Sequence, residues 1–530
     1  MELARQLPGG FQVGERACGR VGGFARLLFA KSRNVFRAAL AEMSPISKPP
    51  VRPVRLDLLD EINYVLGYGY ITVDHVIRTL QIAPFARPCR AKRRQRPGRN
   101  HCDRRLRYGN AGYQASLAAA AYRHRRESII NDSLDPSVRS EQSREIPSPE
   151  AALLVACARL EMLDKDRASV DSAIAAHPDW NLFVTAARYH GIIALVNNHI
   201  SAEFSKKIPV EVLETLRQEA DAQARNNVRL AAELVTLLRL FADNSIAVIP
   251  LKGPVLARSI YGSVTLRRME DLDFLFRESD LPRVFELMHL RGYEKLQTSV
   301  PALDEIDRRN HHSLLPLVCK KRRQLLEIHH LLLDPIGRKR FGLEELIGRT
   351  HSETFLGIPV TTLMAEDLLV YLCEHGTDHN WNRLEWVCGI AELLRTGRVR
   401  DWHRVIEFAN RFDGHSRLLS GLLVARNLLG APVPDHLLSM NPSTQKAVWS
   451  VVDRFMTRPM YSPTSSEMFS YGLATDQGLL SRLHRCWRTL AIPHHSDVMA
   501  LALPRAFWPA YYLLRPLRLV VRQLKQVSQS

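Results

Sequence analysis

Nowhere in its 530 residues does the chain hold the eighteen or more consecutive apolar residues that mark a membrane-spanning helix. The N-terminus lacks the compact apolar core and small-residue cleavage site of a secretory signal. The eight cysteines, at 18, 89, 102, 157, 319, 373, 388 and 486, include no C-x-x-C pair, which removes both a zinc ribbon and a disulfide framework from consideration. A reducing, cytoplasmic setting is therefore expected. Acidic residues are scarce, 55 against 73 Lys and Arg, leaving a formal charge of +18. An excess of that size points to polyanionic partners only if it is spread over a folded surface.

It is not spread evenly. Residues 87–107 hold ten Lys or Arg and a single acid, Asp103, which is half of the net excess. This run sits in a stretch, 1–147, that Pro-rich segments such as Lys48-Pro49-Pro50 keep from any sustained period. The expectation is a basic, mostly disordered extension with short helices at Leu56–Leu66 and Ala115–Tyr122. Clustered arginines could neutralise nucleic-acid phosphates, but a solvated run explains the composition as well, so nucleic acid is not the expected partner.

From Pro149 the pattern becomes regular, and the length calls for two or three domains. Apolar residues at helical spacing mark helices at Ala151–Leu163, Trp180–Asn198 and Val210–Asn244, a helical lead-in over 148–245. The period then shortens. Ile246–Ile249 reads as a strand, Lys252-Gly253-Pro254 as a turn and Val255–Tyr261 as a helix. Strands at Leu272–Phe276, His312–Val318 and Gln324–Leu331, with a helix at Leu281–Gly292, complete an α/β core over 246–350. Helices return over 351–530: through Arg395, then Asp401–Phe412 and Ser416–Leu429. The fold class is thus α+β, a small mixed sheet flanked by helical regions. Near the C-terminus, residues 507–522 mix aromatics with arginines, as peripheral membrane contact would require. The prolines Pro509 and Pro516 favour docking on the protein's own core instead.

Asp271 and Asp273 stand two apart on one of these strands and so project from one face, while Leu272, Phe274 and Phe276 take the other. Two carboxylates so close repel unless a cation lies between them. Mg²⁺ suits carboxylate and phosphate oxygens, with Mn²⁺ as the alternative. Glu327, between Leu326 and Ile328 on a strand, is costly there unless it pairs or coordinates. A third carboxylate is what a two-metal phosphoryl site needs to hold ions about 4 Å apart. Lys252 and Gly253 supply a strand-to-helix turn with free backbone N–H groups and a cation for phosphate. His375 and His379 share a helical face, where they could form a metal-binding pair, hydrogen-bond a nucleotide or acceptor, or simply pack with Trp381 and Trp386. His329, His330, His494 and His495 carry the same two readings.

Leu251-Lys252-Gly253, Tyr261, Leu266-Arg267, Met269–Asp273 and Leu326–His329, taken together, resemble a bacterial nucleotidyltransferase family of exopolysaccharide and peptide-modification gene clusters. That family is a distant branch of the polymerase β-like superfamily. The resemblance takes in Asp179-Trp180, His190-Gly191, His311-His312 and Tyr371–Gly376 with His379, Trp381, Arg383-Leu384 and Trp386. It implies Asp271, Asp273 and Glu327 as catalytic metal ligands, with Lys252 and Gly253 near the nucleotide. Arg267, His375 and His379 are further candidates for binding that nucleotide, an NTP expected to be ATP or CTP. Gly389 stands where the family commonly has Asp. The expected activity is transfer of an NMP to an unidentified hydroxyl or phosphate acceptor on a sugar, peptide or protein. A nucleotide-binding or scaffold protein without turnover, or a nucleic-acid binder acting through 87–107, are the alternatives.

Overall fold

The computed structural model describes residues 147–527 apart from 296–307, 309–310, 315, 334–340, 477, 494–496, 498–500, 502 and 505–506. The basic extension to residue 146, its expected helices, the run at 87–107 and the His494-His495 pair lie outside the described residues.

The lead-in is helical throughout: α1 (Pro149–Cys157), α2 (Asp164–Ala175), α3 (Trp180–Tyr189), α4 (Ile193–His199) and the long α5 (Val210–Asp243). Two expected helices are shorter than their apolar patterns. The first stops at Cys157 because a second begins at Asp164, where the Asp166 carboxylate accepts from the Leu163 N–H at 3.2 Å and pairs with buried Arg159 at 2.7 Å. The helix expected over Trp180–Asn198 is split at Gly191, whose φ of +71° a side chain rarely adopts. In α5, Leu230, Leu234, Leu237, Leu238 and Phe241 form the buried stripe that their spacing foretold.

Among the described residues seven strands follow: β1 (Val248–Pro250), β2 (Asp271–Phe276), β3 (Glu294–Lys295), β4 (Leu317–Cys319), β5 (Gln324–His329), β6 (Thr350–Phe355) and β7 (Ile358–Leu363). Between them lie α6 (Gly253–Tyr261) and α7 (Leu281–Leu290). The first five strands form one sheet in the order β1-β2-β5-β4-β3. Only β2 and β5 run parallel; the other neighbours are antiparallel. A continuous strand over His312–Val318 does not form. Pro316 has no N–H to give a ladder, so Ser313 makes an isolated pairing with His329 before β4 begins at Leu317. The hairpin β6–β7, joined by Leu356-Gly357, opens the region from 351 onward, for which the sequence pattern offered helices and no strand.

The alternation of β2 divides the sheet's surroundings as anticipated. Leu272, Phe274 and Phe276, with Leu326 and Ile328 of β5, join one core with α5 and α7, where Phe241 meets Phe274 and Phe276 edge-on at 5.6 and 4.9 Å. The opposite face carries Asp271, Asp273, Glu327 and His329. On the C-terminal side stand α8 (Ala365–Asp378), α9 (Leu384–Arg395), α10 (Trp402–Arg411), α11 (His415–Leu429), α12 (Pro442–Thr457), α13 (Ser465–Thr475), α14 (Gly478–Ala491) and α15 (Ala510–Val527). The molecule is α+β, a small mixed sheet between helical regions.

Trp381, fully buried, wedges the helical side together. Its indole N–H donates to the Tyr471 hydroxyl at 2.9 Å, and a Cβ on Gly376 of α8 would overlap its ring. Gly376→Ala is accordingly expected to cost about 1–3 kcal/mol, the usual penalty for overfilling a packed site, despite the better helix propensity of Ala. A urea midpoint unchanged by this substitution would show that the ring is not held against that position.

Candidate active site

The parallel pairing of β2 with β5 sets Asp273 directly opposite Glu327. Both are buried, as is His329, which shares their face because it lies two residues beyond Glu327 on the same strand. His329 Nε2 is 3.3 Å from Asp273 Oδ1 and 3.5 Å from Glu327 Oε2. One donor atom from each of the three falls within 4.8 Å of the others, a group able to hold a metal ion. Asp271 is also buried, at the start of β2 and on the same face.

Charge in this group is balanced from within. Lys252 Nζ, on the turn that opens α6, lies 3.2 Å from Asp273 Oδ1. Burial pushes the Asp273 carboxyl up, but Lys252, His329 and a hydrogen bond with Glu327 outweigh it and hold it below its ordinary value. His329 responds in the complementary sense: burial lowers its pKa, and the two carboxylates raise it further than burial lowers it. The Leu251 N–H donates to the Asp273 carbonyl at 3.0 Å, which carries the β1–β2 ladder up to the turn holding Lys252. Gly253 follows with a φ of +70°, which lets the chain turn sharply into α6.

The loop between α6 and β2 is fastened by amides from the middle of α5. Gln223 Nε2 donates to the Thr265 carbonyl at 3.1 Å, Asn226 Nδ2 to Met269 at 2.8 Å, and fully buried Asn227 Nδ2 to Val264 and Arg267 at 2.8 and 2.7 Å. Polar residues inside a helix register only as breaks in an amphipathic pattern, so the sequence reading passed over this brace. Its consequence is that Arg267 is buried and faces the same cleft as Lys252.

That cleft is lined by Lys252, Leu256 and Arg267 on one side and by Leu372, His375, Glu385, Trp386 and Gly389 on the other. Helix α8 brings Tyr371 to the carboxylates: burial raises its hydroxyl pKa, Lys252 opposes, and Asp273, Glu327 and Asp271 add to the rise. His375 and His379 lie 4.7 Å apart between ring centres, each beside Trp386 at 5.3 and 5.0 Å. Burial and the nearby Lys252 keep both imidazoles neutral, with His379 pushed down to about 4. Trp381, by contrast, belongs to the helical core. Gly389 opens on the cleft, where a Cβ would meet nothing within 4 Å.

All eight residues singled out in the sequence thus fall at one end of the sheet, around one group of carboxylates and the cleft beside it. Reasoning from sequence left His329 undecided, though its i+2 relation to Glu327 was a usable signal. His330 turns away, with Nε2 3.0 Å from the Arg308 carbonyl. Tyr371 and Glu385 went unnoticed as site residues because nothing in a helical pattern marks which turn meets a distant sheet.

Residues 176–430 match the model of a family described as uncharacterised nucleotidyltransferases. Those residues are similar to that nucleotidyltransferase family. The matched segment contains every residue of the cleft and of the group able to hold a metal ion. No curated protein and no solved structure matches the chain. Among the described residues, no helix is long and apolar enough to cross a membrane.

The cleft's far wall is anchored through His190. Its Nδ1 accepts from the Leu384 N–H at 3.3 Å while Nε2 donates to the Pro459 carbonyl at 2.9 Å, and its own carbonyl accepts from the Glu385 N–H at 3.1 Å. Burial, opposed by the bond to Pro459 and aided by Arg383 and Arg454, pushes the ring down to about 4 from an ordinary 6.5. The unfolded chain takes up this proton below pH 6.5 and the folded chain does not until about pH 4. The stabilisation is therefore complete above 6.5 and lost as pH falls toward 4, at up to about 1.4 kcal/mol per pH unit. His190→Gln should give a shallower loss of urea stability between those limits than the parent chain. Equal slopes would contradict a neutral buried imidazole at this position.

Proposed function

We propose that this nucleotidyltransferase moves an NMP from an NTP to a hydroxyl or phosphate oxygen on a sugar, peptide or protein acceptor, releasing pyrophosphate. Asp271, Asp273 and Glu327 are assigned as the ligands of Mg²⁺ or Mn²⁺, on the polymerase β-like pattern. Lys252, Gly253, Arg267, His375 and His379 are assigned to the nucleotide, ATP or CTP. The observation that carries the reading is the placement of Asp273 opposite Glu327 across a parallel strand pair, both buried, with Lys252 on the same carboxylate oxygen.

The donor set fits a divalent ion. Two buried carboxylates face each other with a third two residues away, and the imidazole of His329 widens tolerance toward Mn²⁺, since Mg²⁺ prefers oxygen throughout. When bound, the ion would neutralise charge on the reacting phosphate and on the departing pyrophosphate. The chain's own groups do the rest. Backbone N–H groups at the start of α6 and the Lys252 ammonium receive phosphate oxygens. Arg267 lies across the cleft from Trp386, whose indole offers a flat apolar surface for a base, and the neutral His375 can accept or donate a hydrogen bond beside it. The acceptor oxygen attacks the α-phosphorus and forms a new P–O bond. The bond from that phosphorus to the bridging oxygen breaks, and pyrophosphate leaves with the electron pair. A hydroxyl acceptor gives up its proton to water as the new bond forms.

Gly389 favours one rival reading. It leaves open space in the cleft at a position where the resembled family commonly places an Asp, as a nucleotide-binding protein without turnover could also do. Pyrophosphate release separates the two. Asp273→Asn should reduce Mg²⁺-dependent pyrophosphate release by about a thousandfold or more, because the reacting phosphate loses its principal charge support, while the melting temperature stays within a few degrees. Turnover equal to the parent chain would reject the assignment. A parent chain that binds Mg²⁺-ATP or Mg²⁺-CTP without releasing pyrophosphate would favour the rival.

A further inference from the structure

The C-terminal helices leave a surface that the site has no use for. Helix α14 buries only Ser481 and Ala491. Along it Leu480, Leu483, Trp487 and Leu490 recur at helical spacing and are exposed, Leu480 at 82 %. Helix α15 packs against α14 and adds Leu513 and Leu517, at 75 % and 64 %. The sequence favoured docking of this segment on the protein's own core because of its prolines. Helix α15 runs through Pro516 and rests in part on the chain itself, through α14. Tyr511 is buried in a small cluster with Leu503, Trp508 and Leu514, separate from the two main cores.

The charge on this region is one-sided. Residues 476–527 contain eight Lys or Arg against two acids, Asp476, which pairs with Arg485, and Asp497, which pairs with Arg515 at 2.8 Å and with Arg518, so a basic excess remains. Exposed leucines in a segment of net positive charge, with Trp487, Phe507 and Tyr512 among them, are what a helix lying in a bilayer interface presents: apolar side chains enter the acyl boundary, aromatics sit at headgroup depth and the basic excess meets lipid phosphate. A second copy is a poorer occupant, since two such faces would set like charges against each other. A nucleic acid would use the arginines and leave the leucines in water.

We propose that α14 and α15 form a peripheral docking face for an anionic membrane surface. The face lies in the plane of the interface without crossing it, and the proposal stands independently of the transferase reading. The full chain is sedimented with phosphatidylcholine vesicles, with and without about 30 mol % phosphatidylglycerol, beside the double variant Leu480→Ser, Leu513→Ser. Both substitutions are at exposed sites and change no charge, so the basic run at 87–107 contributes equally to both proteins, and melting curves confirm the fold. The parent is expected to bind the anionic vesicles and the variant to need about tenfold more lipid or worse. Three results would overturn the proposal: no uptake of the parent by anionic vesicles, equal uptake of the two proteins, or lipid-free self-association of the parent that the variant loses.

Discussion

The interaction on which the rest depends is the parallel register of β2 with β5. It brings two carboxylates face to face inside the protein, an arrangement that repulsion and desolvation oppose unless cations are built in beside them. Lys252 and His329 serve that need from two different elements, one from the turn before α6 and one from the strand carrying Glu327 itself. Neither is an ornament. A buried carboxylate pair stripped of its partners would protonate, and a protonated site holds neither a metal nor a phosphate.

The remaining elements follow from holding that register. The aromatic face of β2 is pinned by α5 and α7, which fixes the rotation of the strand and so the direction of its carboxylates. The same α5 braces the loop leading into β2 with Gln223, Asn226 and Asn227, so one helix controls both the strand's packing and its entry. On the other side, α8 and α9 form the far wall of the cleft beside the carboxylates, and α9 is held at its first turn by His190 from the lead-in. Parts of the chain almost 200 residues apart meet there, which explains why the family match begins ahead of the sheet and ends well beyond it.

Much of this was legible in the sequence because alternation and helical spacing are local. The two-residue step from Asp271 to Asp273 gave the carboxylate face, and the apolar neighbours of Glu327 marked it as a residue in need of a partner. What local patterns do not carry is which distant groups arrive. The buried amides of α5 interrupt a helical stripe without revealing what they bind, and Tyr371 and Glu385 look like any other residues on amphipathic helices. The β6–β7 hairpin escaped notice for a different reason: its strand β6 presents polar and partly exposed positions up to Phe355, so no apolar alternation announces it. Pro516 misled in the opposite direction, since a proline that ordinarily interrupts a helix is here accommodated within one.

The central claim is that Asp273 and Glu327, opposed across β2 and β5, make a divalent-cation site. Calorimetric titration of the full chain with Mn²⁺, in parallel with Glu327→Gln, tests it without reference to any substrate. The account predicts saturable binding in the parent that raises its melting temperature, and at least about tenfold weaker binding in the variant. Absence of saturable Mn²⁺ binding in the parent, or equal affinity in the two proteins, would contradict it.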